Sequence, residues 1–238
     1  MYTVETTTGI KTFLHMVKSA GISVHQGLIQ RNALTHVNQR HAHIRNLPEK
    51  YYKFPMYIVI RNPEDWYRSF YRFFLGVEGY MSFMLNDPKE PYDGYIYPIS
   101  IDAFVKRSVN LKDTLIKYPN KARVFRNLLR SQGHMHFITG YFENDFSVDN
   151  PETMEQFNMS LYEWFWKATG GEQAINIPMN RLDIIEDIFE IKIPHLNKTS
   201  KDKPDNFLSQ ESIELVRSTH KKFYEIIAKF EKEDINGK

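Results

Sequence analysis

The 238-residue chain contains no cysteine, which excludes disulfide scaffolds, thiol catalysis and cysteine-ligated zinc or iron–sulfur sites. It also has no apolar run approaching the ~18 residues of a membrane span, and the opening MYTVETTTGIKTF lacks the charged-then-apolar order of a signal peptide. A soluble, cytoplasmic protein is the expectation. A strong charge of one sign is missing too: 31 basic against 29 acidic residues excludes a histone-like or polybasic membrane-binding chain. Repeats and low-complexity linkers are absent, so one domain over residues 1–238 is expected.

What is present in quantity is apolar and aromatic side chain. Hydrophobic residues make up 42% of the chain, with 17 Phe, 14 Tyr and 3 Trp. A chain of this size buries roughly 70% of its extended surface, enough for a core without staples. The balanced charge hides a gradient. Residues 1–75 carry ten basic side chains against four acidic, and residues 141–190 carry eleven acidic against two basic. An anionic ligand is therefore expected in the N-terminal third.

Alternating strand and helix patterns predict an α/β fold with a mostly parallel sheet. Tyr2-Thr3-Val4-Glu5 reads as a short strand, and Phe13, Val17 and Ala20 predict a helix from about Lys11 that stops at Gly21. Ile22-Ser23-Val24 is a possible strand, and residues 28–47 read as a helix closed by Pro48. The clearest element is Phe54 to Ile60, a continuous apolar run suited to a strand buried on both faces. It leads into a helix signalled by Asn62 as N-cap and Pro63 at the first position, ending at Gly76. Residues 77–100, rich in Gly, Pro and Tyr, read as an irregular substrate-side loop. Helices are expected at about 101–131, from Asn150-Pro151 to Gly170-Gly171, and at about 210–233, with a strand at Met135 to Ile138. Ile184 to Ile193 alternates ambiguously.

Two segments point to anion chemistry. Thr6-Thr7-Thr8-Gly9-Ile10-Lys11-Thr12 falls between the first expected strand and helix, where backbone amides, hydroxyls and a lysine can hold a phosphate. Lys11-Thr12 matches the end of a P-loop, while Glu5 and Ile10 stand where that motif has glycine. The second segment is Arg61-Asn62-Pro63-Glu64-Asp65, with Ser69 two turns on. It puts a cation at the carboxyl end of a strand, where open α/β sheets bind ligands. Arg61 and Ser69 are thus candidates to grip one phosphate.

The run Tyr57 to Asp65, with Ser69 and Tyr71 after it, resembles the 3′-phosphate signature of sulfotransferases that use 3′-phosphoadenosine 5′-phosphosulfate. Arg40-His41-Ala42 before Lys53-Phe54-Pro55, and Pro194-His195-Leu196-Asn197-Lys198-Thr199 before a terminal helix, are similar to segments of the carbohydrate-type members. The resemblance implies a three-layer α/β/α fold like that of P-loop nucleotide hydrolases, with 3′-phosphoadenosine 5′-phosphosulfate as co-substrate and no metal. In it Thr8, Gly9, Lys11 and Thr12 align with the family's lysine, serine or glycine and paired threonines, and Asn197 and Lys198 close over the nucleotide. Lys11 would stabilise the leaving oxygen, and His41 would take the acceptor's proton, with His43, His36 and Glu5 as rivals. The acceptor implied is a carbohydrate or small molecule bearing a hydroxyl or amine.

Two alternatives stay open. One is a P-loop kinase using Lys11-Thr12 with ATP and Mg²⁺, and the other a nucleotide- or partner-binding relative without turnover, favoured by Ile10. No nucleic-acid or membrane partner is expected. The pairs His41/His43 and His134/His136 have a chelating spacing but no adjacent carboxylate, so metal is not expected either.

Overall fold

A five-stranded sheet built from residues 2–60 and 175–178, with helices beside it, organises the larger part of the fold. It is seen in a computed structural model that describes residues 1–32, 34–37, Ile44, 47–75, 100–117, Glu155, 157–194 and 207–236. The strands are β1 (Tyr2–Thr6), β2 (Gly9–Leu14), β3 (Leu34–Val37), β4 (Met56–Ile60) and β5 (Ile175–Pro178), in spatial order β3-β1-β2-β4-β5. β2, β4 and β5 are mutually parallel, and β1 runs antiparallel to both β2 and β3. Four of the five described strands therefore point the same way, a mostly parallel α/β sheet.

The described α-helices are α1 (Gly21–Arg31), α2 (Pro63–Leu75), α3 (Ile101–Val109), α4 (Leu111–Lys117), α5 (Leu161–Thr169), α6 (Leu182–Phe189), α7 (Gln210–Thr219) and α8 (Lys221–Asn236). Among the described residues no helix is long and apolar enough to cross a membrane. The fold groups into two compact units. The first comprises residues 1–62, 165–205 and 221–238, and the second residues 63–164 and 206–220.

In the first unit the sequence expectation fails at its start. Residues 11–20 do not form a helix. Thr7-Thr8 make the turn of a β1–β2 hairpin, and Gly9 at φ 111° supplies the reversal that a side chain would resist. Phe13, Val17 and Ala20 have helical spacing, but Phe13 and Leu14 sit in a strand that is buried because both faces are covered. Gly21 begins a helix instead of ending one, and Ile22-Ser23-Val24, expected as a strand, is its first turn. That helix stops at Arg31, and β3 occupies part of the long helix expected over 28–47. The core joins sheet to helices. Phe13 meets Phe189 edge-on at 5.9 Å between ring centres, Tyr57 meets the same ring at 5.6 Å, and Val24 and Leu28 of α1 are fully buried.

β4 and α2 form where the sequence predicts them. β4 pairs in parallel with β2 on one side (Leu14 opposite Ile58) and β5 on the other (Ile60 opposite Pro178), so both its faces and both its edges are enclosed. The ambiguous Ile184–Ile193 stretch is mostly helix α6, and β5 went unread because it is four residues long and ends in Pro178.

The second unit is an aromatic cluster held by helices. Trp66 stacks on Phe70 at 4.6 Å, Phe70 stacks on Phe104 at 6.0 Å, and Tyr162 meets Trp66 edge-on at 5.2 Å. Of the helical patterns expected over about 101–131, the described residues form α3 and α4, which meet at Asn110, and residues 118–131 lie outside the described residues. Ser100 caps α3 by accepting from the Ala103 amide at 3.2 Å, and Ser209 caps α7 through the Ser212 amide at the same distance. Of the helix expected from Asn150 to Gly170-Gly171, Glu155 is helical, residues 157–160 are not, and α5 covers Leu161–Thr169, with Ser160 accepting from the Glu163 amide at 3.1 Å; residues 150–154 and 156 lie outside the described residues. The terminal helix is two helices, broken at His220. Of the loop expected at 77–100 only Ser100 is described, of the loop at 194–199 only Pro194, and the strand expected at 135–138 lies outside the described residues.

Candidate anion site at the end of β2

The hairpin places the first sequence-predicted site at the wrong end of a strand for ligand binding. Thr8 and Gly9 are exposed in the turn, where Thr6 Oγ1 lies 3.3 Å from Thr8 Oγ1 and donates to the Gly9 carbonyl at 2.7 Å. Lys11 is in β2 and its Nζ donates to the Ile188 carbonyl at 2.8 Å, near the carboxyl end of α6, where a cation suits the helix dipole. Thr12 is fully buried, with its amide on the Pro55 carbonyl at 2.9 Å and its hydroxyl 3.5 Å from that of Thr3. None of the four stands at a helix N-terminus. Glu5 is exposed on β1, and the backbone of His36 pairs with Thr3 in β3.

The strand–loop–helix crossing that an anion site needs lies one strand later. β2 ends at Leu14, residues 15–20 form the loop, and α1 starts at Gly21. This is the carboxyl end of parallel strands, the edge at which open α/β sheets take their ligands. The loop residues are His15-Met16-Val17-Lys18-Ser19-Ala20.

Four features of that loop favour an anion. The first turn of α1 carries no acidic residue, and no side chain caps it: the N-cap is Ala20, whose methyl cannot accept from the first amides. Those amides are a natural seat for negative charge. Lys18 lies in the loop, and its ammonium is depressed to about 8, first by burial and then by the neighbouring Arg61 charge. Arg61 follows β4, and its Nη1 donates to the Lys18 carbonyl at 3.5 Å. Bringing two cations together is unfavourable until an anion sits between their charges. Finally Ser19 is 1% exposed and its hydroxyl has no hydrogen-bond partner among the described residues, an arrangement that costs about 1–3 kcal/mol unless a ligand or water completes it.

The backbone is strained at the same place. Lys18 has φ 62° and Ala20 φ 55°, both in the left-handed region that side chains other than glycine avoid. Such conformations cost on the order of 1–3 kcal/mol each and persist where surroundings impose them. Sequence reasoning passed over Lys18 because it assigned residues 11–20 to a helix. The available signal was the stretch Phe13 to Val17, apolar but for His15, which follows a glycine-containing turn and gives way to a cation and small residues before a second amphipathic stretch.

Arg61, foreseen as a ligand-binding cation, stands at this site. Ser69 is on α2 in the second unit, half-buried. His41, His43, Asn197 and Lys198 lie outside the described residues. Among the described residues no group of three or more histidines and carboxylates is placed to hold a metal ion. No protein-family model matches the chain, and neither a curated protein nor a solved structure matches it.

Proposed function

We propose that this chain is a sulfotransferase that moves a sulfuryl group from 3′-phosphoadenosine 5′-phosphosulfate to a hydroxyl or amine of an acceptor. The observation that carries the reading is the meeting of Lys18 and Arg61 at the uncapped start of α1, beside the buried Ser19 hydroxyl. In this reading the loop from Lys18 to Ser23 holds the 5′-phosphosulfate. Lys18, Ser19, Gly21 and Ser23 supply the lysine, serine, glycine and second hydroxyl that the resemblance assigned to the Thr8–Thr12 segment, which the hairpin removes from that role. Arg61, at the end of β4, serves the nucleotide's phosphates. The P-loop-like character of the fold belongs to the same proposal, supported by a parallel strand leading through an anion loop into a helix.

In the transfer the acceptor oxygen or nitrogen bonds to sulfur as the bond from sulfur to the 5′-phosphate oxygen breaks. The nucleotide leaves as 3′-phosphoadenosine 5′-phosphate, and the acceptor's proton passes to a base. Lys18 faces the negative charge that grows on the leaving oxygen, which takes over the role first given to Lys11. His41 as the base rests on the sequence resemblance, as does the closing role of Asn197 and Lys198.

Calorimetric titration with 3′-phosphoadenosine 5′-phosphate, beside adenosine 5′-phosphate and ATP–Mg²⁺, tests the reading. Tight binding that requires the 3′-phosphate is expected. Preference for ATP–Mg²⁺ would replace the sulfotransferase with a kinase, and binding of none of the three would overturn both.

A further inference from the structure

Gly21 opens α1 with an ordinary helical backbone and no positive φ, so conformational freedom does not explain why this position lacks a side chain. Space does. A Cβ built on Gly21 would fall within the imidazole of His15, at its Cδ2 and Nε2 edge. His15 is 2% exposed and directly follows β2, with its ring 6.5 Å from that of Phe13 inside the strand. The imidazole is thus anchored on the sheet side and pressed against the first residue of the helix.

Between these two contacting residues runs the loop with two left-handed, non-glycine positions, Lys18 and Ala20. Arg61 reaches the middle of the loop at the Lys18 carbonyl, 3.5 Å from its Nη1, and Ala20 accepts from the Val24 amide at 3.1 Å. The His15–Gly21 contact fixes the distance between the end of β2 and the start of α1. Two left-handed residues inside so short a span are a conformation that persists only where the surroundings impose it. Shortening or lengthening it would swing Lys18 and the first amides of α1 away from one another.

We propose that His15 is the positioning residue of the anion loop, its imidazole occupying the place of the missing Gly21 side chain and so holding Lys18 and the first amides of α1 toward one bound phosphate or sulfate group. The inference rests on the reading of this loop as the phosphosulfate cradle. His15 acts through Gly21 and the loop, and it exchanges no proton in the transfer. The two positions are complementary in volume, so a change at either opens or crowds the same space, and paired changes compensate.

The test compares His15→Ala, Gly21→Ala, His15→Gln and the double variant His15→Ala/Gly21→Ala with the wild type. Two readouts are taken: amide hydrogen exchange over residues 16–24 in the free protein, and the dissociation constant for 3′-phosphoadenosine 5′-phosphate. Each alanine variant is expected to speed exchange in that segment and weaken binding roughly tenfold to a hundredfold, the scale of an ångström's misplacement. The double variant should recover at least about fivefold over the poorer single, and His15→Gln, which keeps a planar group there, should stay within about threefold of wild type. Unchanged exchange and affinity in Gly21→Ala, or a double variant no better than the poorer single, would overturn the proposal. Should an alanine variant unfold, the His15→Gln comparison decides on its own, a full loss of binding there refuting a role of shape. If the wild type binds no nucleotide, the sulfotransferase reading fails, and the exchange pattern still decides whether His15 holds the loop.

Discussion

Lys11 Nζ donates to the Ile188 carbonyl at 2.8 Å, which ties the second strand of the N-terminal hairpin to the last turn of α6. The side chain that most resembled a P-loop lysine is therefore a cap on a helix carboxyl end. Lys11→Met should leave affinity for 3′-phosphoadenosine 5′-phosphate unchanged and lower stability by about 1 kcal/mol, the usual scale of such a bond on a partly exposed side chain. Urea unfolding and nucleotide titration of the same variant check both halves. A loss of nucleotide affinity with intact stability would return Lys11 to the binding site.

Lys18 and Arg61 should behave oppositely to Lys11. Arg61→Ala and Lys18→Met are each expected to weaken 3′-phosphoadenosine 5′-phosphate binding by about 1.5–3 kcal/mol, the range for hydrogen bonds to charged groups. Because the proposed site sets both cations against one nucleotide, their losses should not add, and the double variant should fall short of the sum of the singles. Strict additivity would mean that they serve separate groups.

The depressed Lys18 ammonium has a pH signature. Its folded value is about 8 against an ordinary 10.5, so between those values the unfolded chain binds more protons than the folded one. Stability of the free protein from this group therefore rises with pH across that window, and Lys18→Met removes the rise. Near neutral pH the variant should be the more stable protein, with the gap closing toward about pH 10.5. Anion binding should draw the ammonium back up, so nucleotide affinity falls as pH passes about 8 and binding there takes up a proton. Denaturation of both proteins across pH, and titration in buffers of different ionisation enthalpy, measure these effects. Parallel pH curves for the two proteins would refute the assignment.

How much of this was legible depends on whether local and tertiary signals agree. At β4 they do: Tyr57 to Ile60 is apolar and β-branched, Asn62-Pro63 marks a helix start, and the strand is enclosed as its composition demands. At residues 6–21 they conflict. Thr-Thr-Thr-Gly suits a phosphate loop as well as a hairpin turn, and only the pairing of Tyr2 with Phe13 and of Thr3 with Thr12 decides between them. Phe13 and Val17 fit a helical period, whereas a strand buried on both faces has no period to display. Gly21 looked like a helix terminator because glycine usually is one. Its reason for being glycine is an imidazole six residues earlier in sequence, a contact that no local rule contains. Arg61 was readable because it follows an unambiguous strand, and Lys18 was not, because its strand was misassigned.

Glu190 closes the far end of the hairpin. Its carboxylate accepts from the Thr7 amide at 2.7 Å, from the Thr7 hydroxyl and from Arg31, and it sits in the left-handed position that ends α6. The Thr7 hydroxyl, together with the Thr7 amide and the charges of Arg31 and Lys11, holds this carboxyl below the usual glutamate value of 4.5. A carboxylate so shifted contributes stability that is present above the unfolded value and lost as pH falls through the folded one. Acid unfolding of Glu190→Gln should accordingly lack a component that wild type shows below about pH 4.5. Coincident acid transitions would show that the hairpin gains nothing from the carboxylate.

In the second unit Tyr67 and His220 are both fully buried, with the tyrosine hydroxyl 3.1 Å from His220 Nε2 and the two rings stacked at 5.7 Å. One turn before His220, which caps α7, Arg217 Nε of α7 donates to Glu64 Oε1 of α2 at 2.8 Å. A polar contact inside an aromatic cluster favours one register of the packed segments over another, because apolar rings alone would tolerate a slip. Tyr67→Phe keeps the ring and its stacking and removes only the hydroxyl, so it isolates the hydrogen bond. The expected cost is about 1–2 kcal/mol in chemical denaturation, larger than for an exposed pair because the histidine nitrogen stays in a dry site. Glu64→Gln, whose partner Arg217 is largely exposed and can turn to water, should cost under about 1 kcal/mol. A ranking in which the charged pair outweighs the buried Tyr67–His220 bond would mean that surface electrostatics, and not the aromatic interior, fixes the register of α2 on α7.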